Sequence, residues 1–209
     1  MKKIIALLTA LLFTLNAFGY QFYTSGNNKY SDTSVVIDNL GTPVTNVITY
    51  SYQLSGYVPA ATATDVLCVS GSATKVVKVR RIQVTAAAGS ASQVSIYVYL
   101  RTAADTGGTS TTPAATKYDS TNPSPTAALT QYSANPTLGT GTLLSADYYE
   151  IPATTGNTYW TGPWIEDYGI RNSQPVILRG TSQSVCFNLG GQTLPSGFTL
   201  YTRIEWTEE

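Results

Sequence analysis

The chain has 209 residues, in which 12 Lys and Arg balance 12 Asp and Glu, and it contains no histidine. Without imidazole the chain lacks the commonest general base and the commonest metal ligand, and its balanced charge gives no electrostatic basis for binding nucleic acid. Charged residues make up only 11% of the chain, so the composition favours a surface-building or binding protein over an enzyme.

Residues 1–19 have the pattern of a secretory leader. Two lysines precede an apolar run over residues 4–15, and the Ala-Phe-Gly sequence at 17–19 fits a cleavage site. The run is too short for a stable membrane span. Cleavage predicts export, whereas a retained leader would act as a hydrophobic anchor. Residues 20–61, rich in Tyr and Asn, are predicted to form a β-rich N-terminal extension.

Beyond the leader, strand patterns alternate with turn signals, and no segment has a helical period. We predict ten strands, over residues 34–39, 44–54, 65–70, 75–85, 93–101, 143–151, 158–165, 175–179, 183–189 and 198–207. Strands of this number and spacing predict an all-β fold, an antiparallel β-sandwich with jelly-roll-like connections. The sandwich domain is expected to cover residues 62–209.

The last predicted strand has the clearest two-residue alternation. Its inward positions hold the apolar residues Phe198, Leu200, Ile204 and Trp206. In the strand at 75–85 the apolar parity changes across Arg80 and Arg81, which predicts a β-bulge or a bend between two sheets.

The strand at 93–101 alternates strictly, with Val94, Ile96, Val98 and Leu100 on its inward side. Its outward side carries Tyr97, Tyr99 and Arg101. Aromatic side chains dominate subunit interfaces, so Tyr97 and Tyr99 are candidate subunit-interface residues.

Cys68 and Cys186 are the only cysteines. In an oxidising compartment they could form a disulfide, and otherwise they would be two buried thiols. Cys186 has the opposite parity to Val185 and Phe187, so it is expected to face away from the core that those residues fill. Two cysteines cannot complete a structural zinc site, and Gly139-Thr140-Gly141 is no dinucleotide fingerprint, so neither a metal nor a cofactor is predicted.

A run of aromatic residues is the best candidate for ligand recognition. Turn residues surround it, and flat rings on loops can bind sugars. Tyr159, Trp160 and Trp164 are the candidate ligand-binding residues, together with neighbouring Tyr148, Tyr149 and Tyr168. The alternative interpretation places both tryptophans in the core or in a subunit interface.

Four acidic residues carry the only enzymatic hypothesis, a glycosidase that would need two carboxylates across a cleft. They are Asp147, Glu150, Glu166 and Asp167. Glu166 and Asp167 are adjacent and would point to opposite faces of a strand. We interpret all four as solvated loop acids and predict no catalytic residue.

Residues 102–127 form a tract of Thr, Ser, Pro, Gly and Ala. Its composition predicts a long loop that forms no core strand. Such a loop would be either an irregular surface segment or a segment that lies over a neighbouring subunit.

Several segments of the chain resemble a family of tailed-phage and prophage virion proteins. The pieces are RRIQV at 80–84, TGGTSTT at 106–112, DSTNPSPTAALTQYSANPTLGT at 119–140, VILRGTSQSVCFNLGG at 176–191 and the terminal RIEWTEE. The resemblance covers residues 62–209. It implies a β-rich particle component, such as a capsid decoration or cement protein, and no catalytic residue. The leader and residues 20–61 depart from the family pattern.

From these observations we expect a non-enzymatic virion protein that forms a homo-oligomer, with a trimer as the first expectation. Its expected partners are the major capsid protein or other virion proteins, with a host-surface glycan as a further candidate ligand. The alternative is a secreted or virion-displayed adhesion module that binds a receptor or glycan.

Overall fold

A computed structural model describes residues 47–151, 162–170 and 174–209. These residues belong to one compact unit, Val47–Glu209. They form twelve strands: β1 (Thr49–Tyr57), β2 (Asp65–Ser70), β3 (Val77–Ala87), β4 (Ser92–Arg101), β5 (Thr109–Thr111), β6 (Thr116–Lys117), β7 (Ala128–Ala134), β8 (Gly141–Ile151), β9 (Trp164–Asp167), β10 (Val176–Leu178), β11 (Ser184–Asn188) and β12 (Thr199–Glu208). The described residues contain no helix that is long and apolar enough to cross a bilayer.

The strands form two antiparallel sheets. Sheet A has the order β10-β3-β12-β1-β6, with β9 also paired to β3, and sheet B has the order β5-β7-β2-β11-β4-β8. The chain passes from sheet A to sheet B and back between β1, β2, β3 and β4, and again between β8, β9, β11 and β12. This is the path of a jelly roll, so the predicted antiparallel sandwich is confirmed.

The core lies between the two sheets and follows the predicted parity. The predicted inward residues, Phe198 directly before β12 and Leu200, Ile204 and Trp206 within it, are at most 4% exposed. The predicted bulge in β3 is also present, because Glu205 pairs with Arg81 while Trp206 pairs with Val79. Arg80 is therefore the extra residue that moves the apolar side chains on either side of it to the same face.

The N-terminal boundary of the sandwich differs from the prediction. β1 lies inside sheet A, with β12 on one side and β6 on the other. Its Tyr50 ring stacks on Trp206 with 5.8 Å between ring centroids. The sandwich therefore begins near Val47 and not at residue 62, because the strand predicted within the extension completes sheet A. The predicted strand at 34–39 and the leader lie outside the described residues.

The tract at 102–127 forms no core strand, as predicted, but it contains two short edge strands, β5 and β6. β5 pairs with β7 at the edge of sheet B, and β6 pairs with β1 at the edge of sheet A. The end of the tract is fastened to β12 by the buried Glu208 carboxylate, which accepts hydrogen bonds from the amides of Thr126 and Ala127. The pKa of Glu208 lies below its usual value, because these hydrogen bonds to the carboxylate outweigh the effect of burial, which alone would raise the pKa.

Candidate interaction surface

The acidic residues serve the fold. All ten acids in the described ranges have at least one hydrogen-bond or ion-pair partner: Asp65, Asp105, Asp119, Asp147, Glu150, Glu166, Asp167, Glu205, Glu208 and Glu209. The four acids interpreted as solvated loop residues were placed wrongly, because they lie on strands β8 and β9. Asp167 pairs with Arg81, and Glu166 accepts a 2.6 Å hydrogen bond from Ser145.

Beneath residues 102–105, the outer face of sheet B carries a buried polar cluster. Arg101 lies on the outward side of β4, as predicted, but it is covered there and only 4% exposed. Its guanidinium donates two 2.9 Å hydrogen bonds to Asp65 and lies 3.9 Å from Asp105. The segment at 137–140 packs closely here, since a Cβ added to Gly139 would lie 1.9 Å from the carbonyl oxygen of Ala103. Residues 102–105 thus cover the cluster and exclude water from it.

Asp105 is the acid of this cluster whose pKa is clearly raised. Burial raises the pKa of Asp105 to about 6, the Asp65 carboxylate adds to the rise, and the amide of Gly139 and Arg101 oppose it. A carboxyl group with a raised pKa in the folded state binds its proton more tightly there than in the unfolded chain. Ionised Asp105 therefore depends on Arg101 as its nearby counter-ion.

The two cysteines lie opposite each other on β2 and β11 and are joined in a disulfide. As the parity of Cys186 predicted, they face away from the main core, where they form a small second cluster with Tyr132. The bond closes a separation of 118 residues, which in the chain-entropy description stabilises the fold by about 4 to 5 kcal/mol. It also links β2 to β11, which are neighbours in sheet B but distant in the chain.

One group of side chains in the described ranges has the spacing of metal ligands. The ligand atoms of Asp65, Cys68, Asp105 and Cys186 lie within 4.8 Å of one another. The two sulfurs are bonded to each other, so they offer no thiolate, and Arg101 already forms ion pairs with both carboxylates. The chemistry of this group is that of a structural cluster.

Of the three predicted ligand-binding residues, the structure describes only Trp164. Tyr159 and Trp160 lie outside the described residues. Trp164 begins β9, is half-buried against the core, and donates a 3.2 Å hydrogen bond from Nε1 to Asp147. Tyr148 on β8 is the most exposed large aromatic side chain in the described ranges, at 68%, so it offers the ring face that sequence reasoning assigned to the tryptophans.

Tyr97 and Tyr99, the predicted subunit-interface residues, lie side by side on the outer face of β4. Their ring centroids are 6.2 Å apart, and the guanidinium of Arg101 lies 4.4 Å from the Tyr99 ring. On the neighbouring strand, Leu143 pairs with Tyr99, and Tyr148 pairs with Ser95. We call the group of Tyr97, Tyr99, Leu143 and Tyr148 the β4–β8 face.

The β4–β8 face continues to the end of sheet B. β8 is an 11-residue strand that pairs with β4 alone among the described strands. Residues 141–144 are all exposed, with Leu143 at 45% and Leu144 at 38%. Residues 141–146 carry no charge, and β8 contains neither lysine nor proline. Natural proteins protect exposed edge strands with lysine, proline, β-bulges or inward-pointing charges. β8 has a bulge at Leu144 and the inward-pointing Asp147, but the uncharged, exposed residues 141–144 leave this part of the edge open to association.

Sequence reasoning did not single out Leu143 and Leu144. The signal was the uncharged segment GTLLSA directly after a Gly- and Pro-containing turn, but only the strand order shows that it lies at an edge. Comparisons with protein-family models, with curated proteins and with solved structures found no match to this chain.

Proposed function

We propose that this protein is a non-enzymatic structural component of a tailed-phage particle, a capsid decoration protein or another virion surface protein. It would act by holding β-sandwich subunits against each other and against the major capsid protein or another virion protein. The observation that carries the proposal is the β4–β8 face with its uncharged edge. Because the described acids are bonded within the fold, the chemistry available at this surface is apolar and aromatic contact.

Three further observations support a role that depends on a durable surface. The sandwich is joined by a long-range disulfide, its Thr- and Ser-rich tract is tied to both sheets, and the resemblance to virion proteins spans residues 62–209. A particle protein binds its neighbours through many shallow contacts, so its surface must keep a fixed shape. A jelly roll with few long ionic side chains meets that requirement.

Particle occupancy tests the proposal. Mass spectrometry of purified particles from the host that carries this gene is expected to detect the protein in repeated copies. Replacing both Leu143 and Tyr148 by Ser is expected to lower its copy number at least about tenfold, because interface energy concentrates in a few large side chains. The control is Tyr201→Ser, which removes a 40% exposed tyrosine from sheet A and is expected to leave occupancy unchanged.

Absence of the wild-type protein from particles would contradict the proposal, as would equal losses in the Leu143/Tyr148 and Tyr201 variants. The trimer expected from the sequence is part of the same proposal, and the Tyr97 and Tyr99 side chains are its candidate contacts. The N-terminus found in the particle separates the two forms of the leader. A chain that begins at Tyr20 has been exported and cleaved, and one that begins at Met1 retains the apolar anchor.

An adhesion module is the second candidate function, and the 68% exposure of Tyr148 on the outer face of β8 favours it. A planar ring with this exposure can stack on a sugar of a receptor or host-surface glycan. Binding of the wild-type protein to a glycan array, lost in Tyr148→Ala, together with its absence from particles, would select this function in place of the first.

A further inference from the structure

We propose that the outer edge of β8 pairs antiparallel with β8 of a second copy of this chain, so that two sheets B join into one continuous sheet. The proposal deepens the proposed function, because it names a partner of the β4–β8 face and rests on that function for its biological purpose. Three observations support it: the direction in which the β8 backbone groups point, the contacts of β9 side chains with the inner side of this edge, and the absence of charge in residues 141–146.

The direction of the β8 backbone groups follows from the sheet register. Cys68 and Cys186 lie opposite each other with Cα atoms 4.1 Å apart, the spacing of a non-hydrogen-bonded pair, so the amide and carbonyl of Cys186 point towards β4. Tyr99 lies opposite Cys186 and Leu143 lies opposite Tyr99. Since the pairing alternates, the N–H and C=O of Leu143 point away from β4, towards the edge.

The same alternation applies two positions along β4, with Leu144 as the extra residue of a β-bulge between Leu143 and Ser145. Tyr97 pairs with Asn188 on one side and with Ala146 on the other. The backbone groups of Ala146 therefore also point outward, and no described strand accepts or donates there. An exposed row of unpaired amides and carbonyls is a template for another strand.

Side chains from β9 close the interior of the sandwich at this edge without covering its backbone. Ser145 and Asp147 turn inward, where they meet Glu166 at 2.6 Å and Trp164 at 3.2 Å. β9 itself is hydrogen-bonded to β3 in sheet A. Contacts from β9 thus hold the inner side of this edge, while no strand in the described ranges pairs with its outer side.

A second copy is the occupant that this edge fits. Residues 141–146 carry no charge, so antiparallel pairing of the segment with itself brings no like charges together. The two-fold axis of such an isologous pair stands perpendicular to the sheet and keeps both β4–β8 faces on the same side. A standard interface buries about 800 Å² per partner. Backbone pairing of six residues alone buries less than this, so the side chains of Leu143 and Leu144 must also be buried in the contact.

This pairing requires an even number of subunits. Two chains form an isolated pair, and six chains form if three-fold contacts are also made. A trimer alone would use other surfaces and leave the β8 edge exposed.

Sedimentation velocity of the purified protein over a range of concentrations tests the pairing, with Ala146→Pro as the decisive variant. Proline removes the edge-facing N–H and leaves the hydrogen bonds to β4 in place, so the dissociation constant is expected to rise at least about tenfold. Ala146→Val is the matched control, because it keeps the N–H and is expected to associate as wild type does. Circular dichroism and the melting temperature establish that each variant is folded.

If Ala146→Pro fails to fold, Leu143→Lys replaces it, since two like charges near the two-fold axis are expected to separate the copies. A wild-type protein that is monomeric, or that forms only trimers, overturns the pairing. So does a folded edge variant that associates as tightly as Ala146→Val. Particle occupancy is measured independently, so a paired protein absent from particles contradicts the function alone, and an unpaired protein present in particles contradicts the pairing alone.

Discussion

Leu200→Asp is expected to prevent the sandwich from folding. Leu200 is 0% exposed near the start of β12, between β1 and β3. The substitution removes about 2 to 3 kcal/mol of side-chain burial and places a carboxylate where no described cation can reach it, which costs several kcal/mol more. The sum is comparable with the roughly 5 to 15 kcal/mol that stabilises a typical domain.

Tyr201→Asp is the control for this change, because it introduces the same group one residue along β12 on the outer face, where Tyr201 is 40% exposed. Thermal unfolding followed by circular dichroism should show a cooperative transition for Tyr201→Asp and none for Leu200→Asp. A Leu200→Asp protein with the wild-type melting temperature would show that the inward face of β12 has been assigned wrongly.

Arg101→Met is expected to lower the free energy of unfolding by about 3 to 5 kcal/mol at neutral pH, because removing one partner of a buried ion pair leaves an uncompensated charge. The side chains of Arg101 and Asp65 are 5% and 0% exposed. Methionine keeps most of the apolar stem, so the loss reports the charge. Arg81→Met breaks the ion pair with Asp167, whose side chains are 39% and 26% exposed, and is expected to cost about 1 kcal/mol or less.

The pH dependence of the Arg101→Met protein provides a second measurement. The folded-state pKa of Asp105 is raised to about 6, above that of the unfolded chain, so acidification through this pKa favours the folded state. Without Arg101, protonation also removes an unpaired charge. Urea unfolding should therefore show that the deficit of Arg101→Met relative to wild type shrinks between pH 8 and pH 5. A deficit that is constant over this range would show that packing, and not charge, is lost.

The predictable part of the fold is the part in which burial alternates every two residues. β2 was predicted with its observed bounds, and the bulge at Arg80 followed from the change of parity in β3. β7 was not predicted, because its residues Ala128–Ala134 include only two buried side chains, Leu129 and Tyr132. β5 and β6 escaped prediction because exposed two- and three-residue strands leave no periodic signal in a Thr-rich tract.

The site could be predicted only in part, since its properties arise between strands that are distant in the chain. Tyr97 and Tyr99 were recognisable as an outward aromatic pair on one strand. The burial of Arg101 depends on Asp65, 36 residues earlier, and on the segment that follows β4. Leu143 became a candidate only when the strand order placed β8 at the end of sheet B.

Hydrogen–deuterium exchange at the β8 edge tests most directly the claim that this surface holds the protein in its assembly. Amides of Leu143 and Ala146 face outward, so they are expected to exchange rapidly in a dissociated subunit and slowly in the associated protein and in the particle. The inward-bonded amides of β11 serve as the internal reference, expected to stay protected in both states. Exchange at Leu143 and Ala146 that is equally fast before and after assembly would contradict the account.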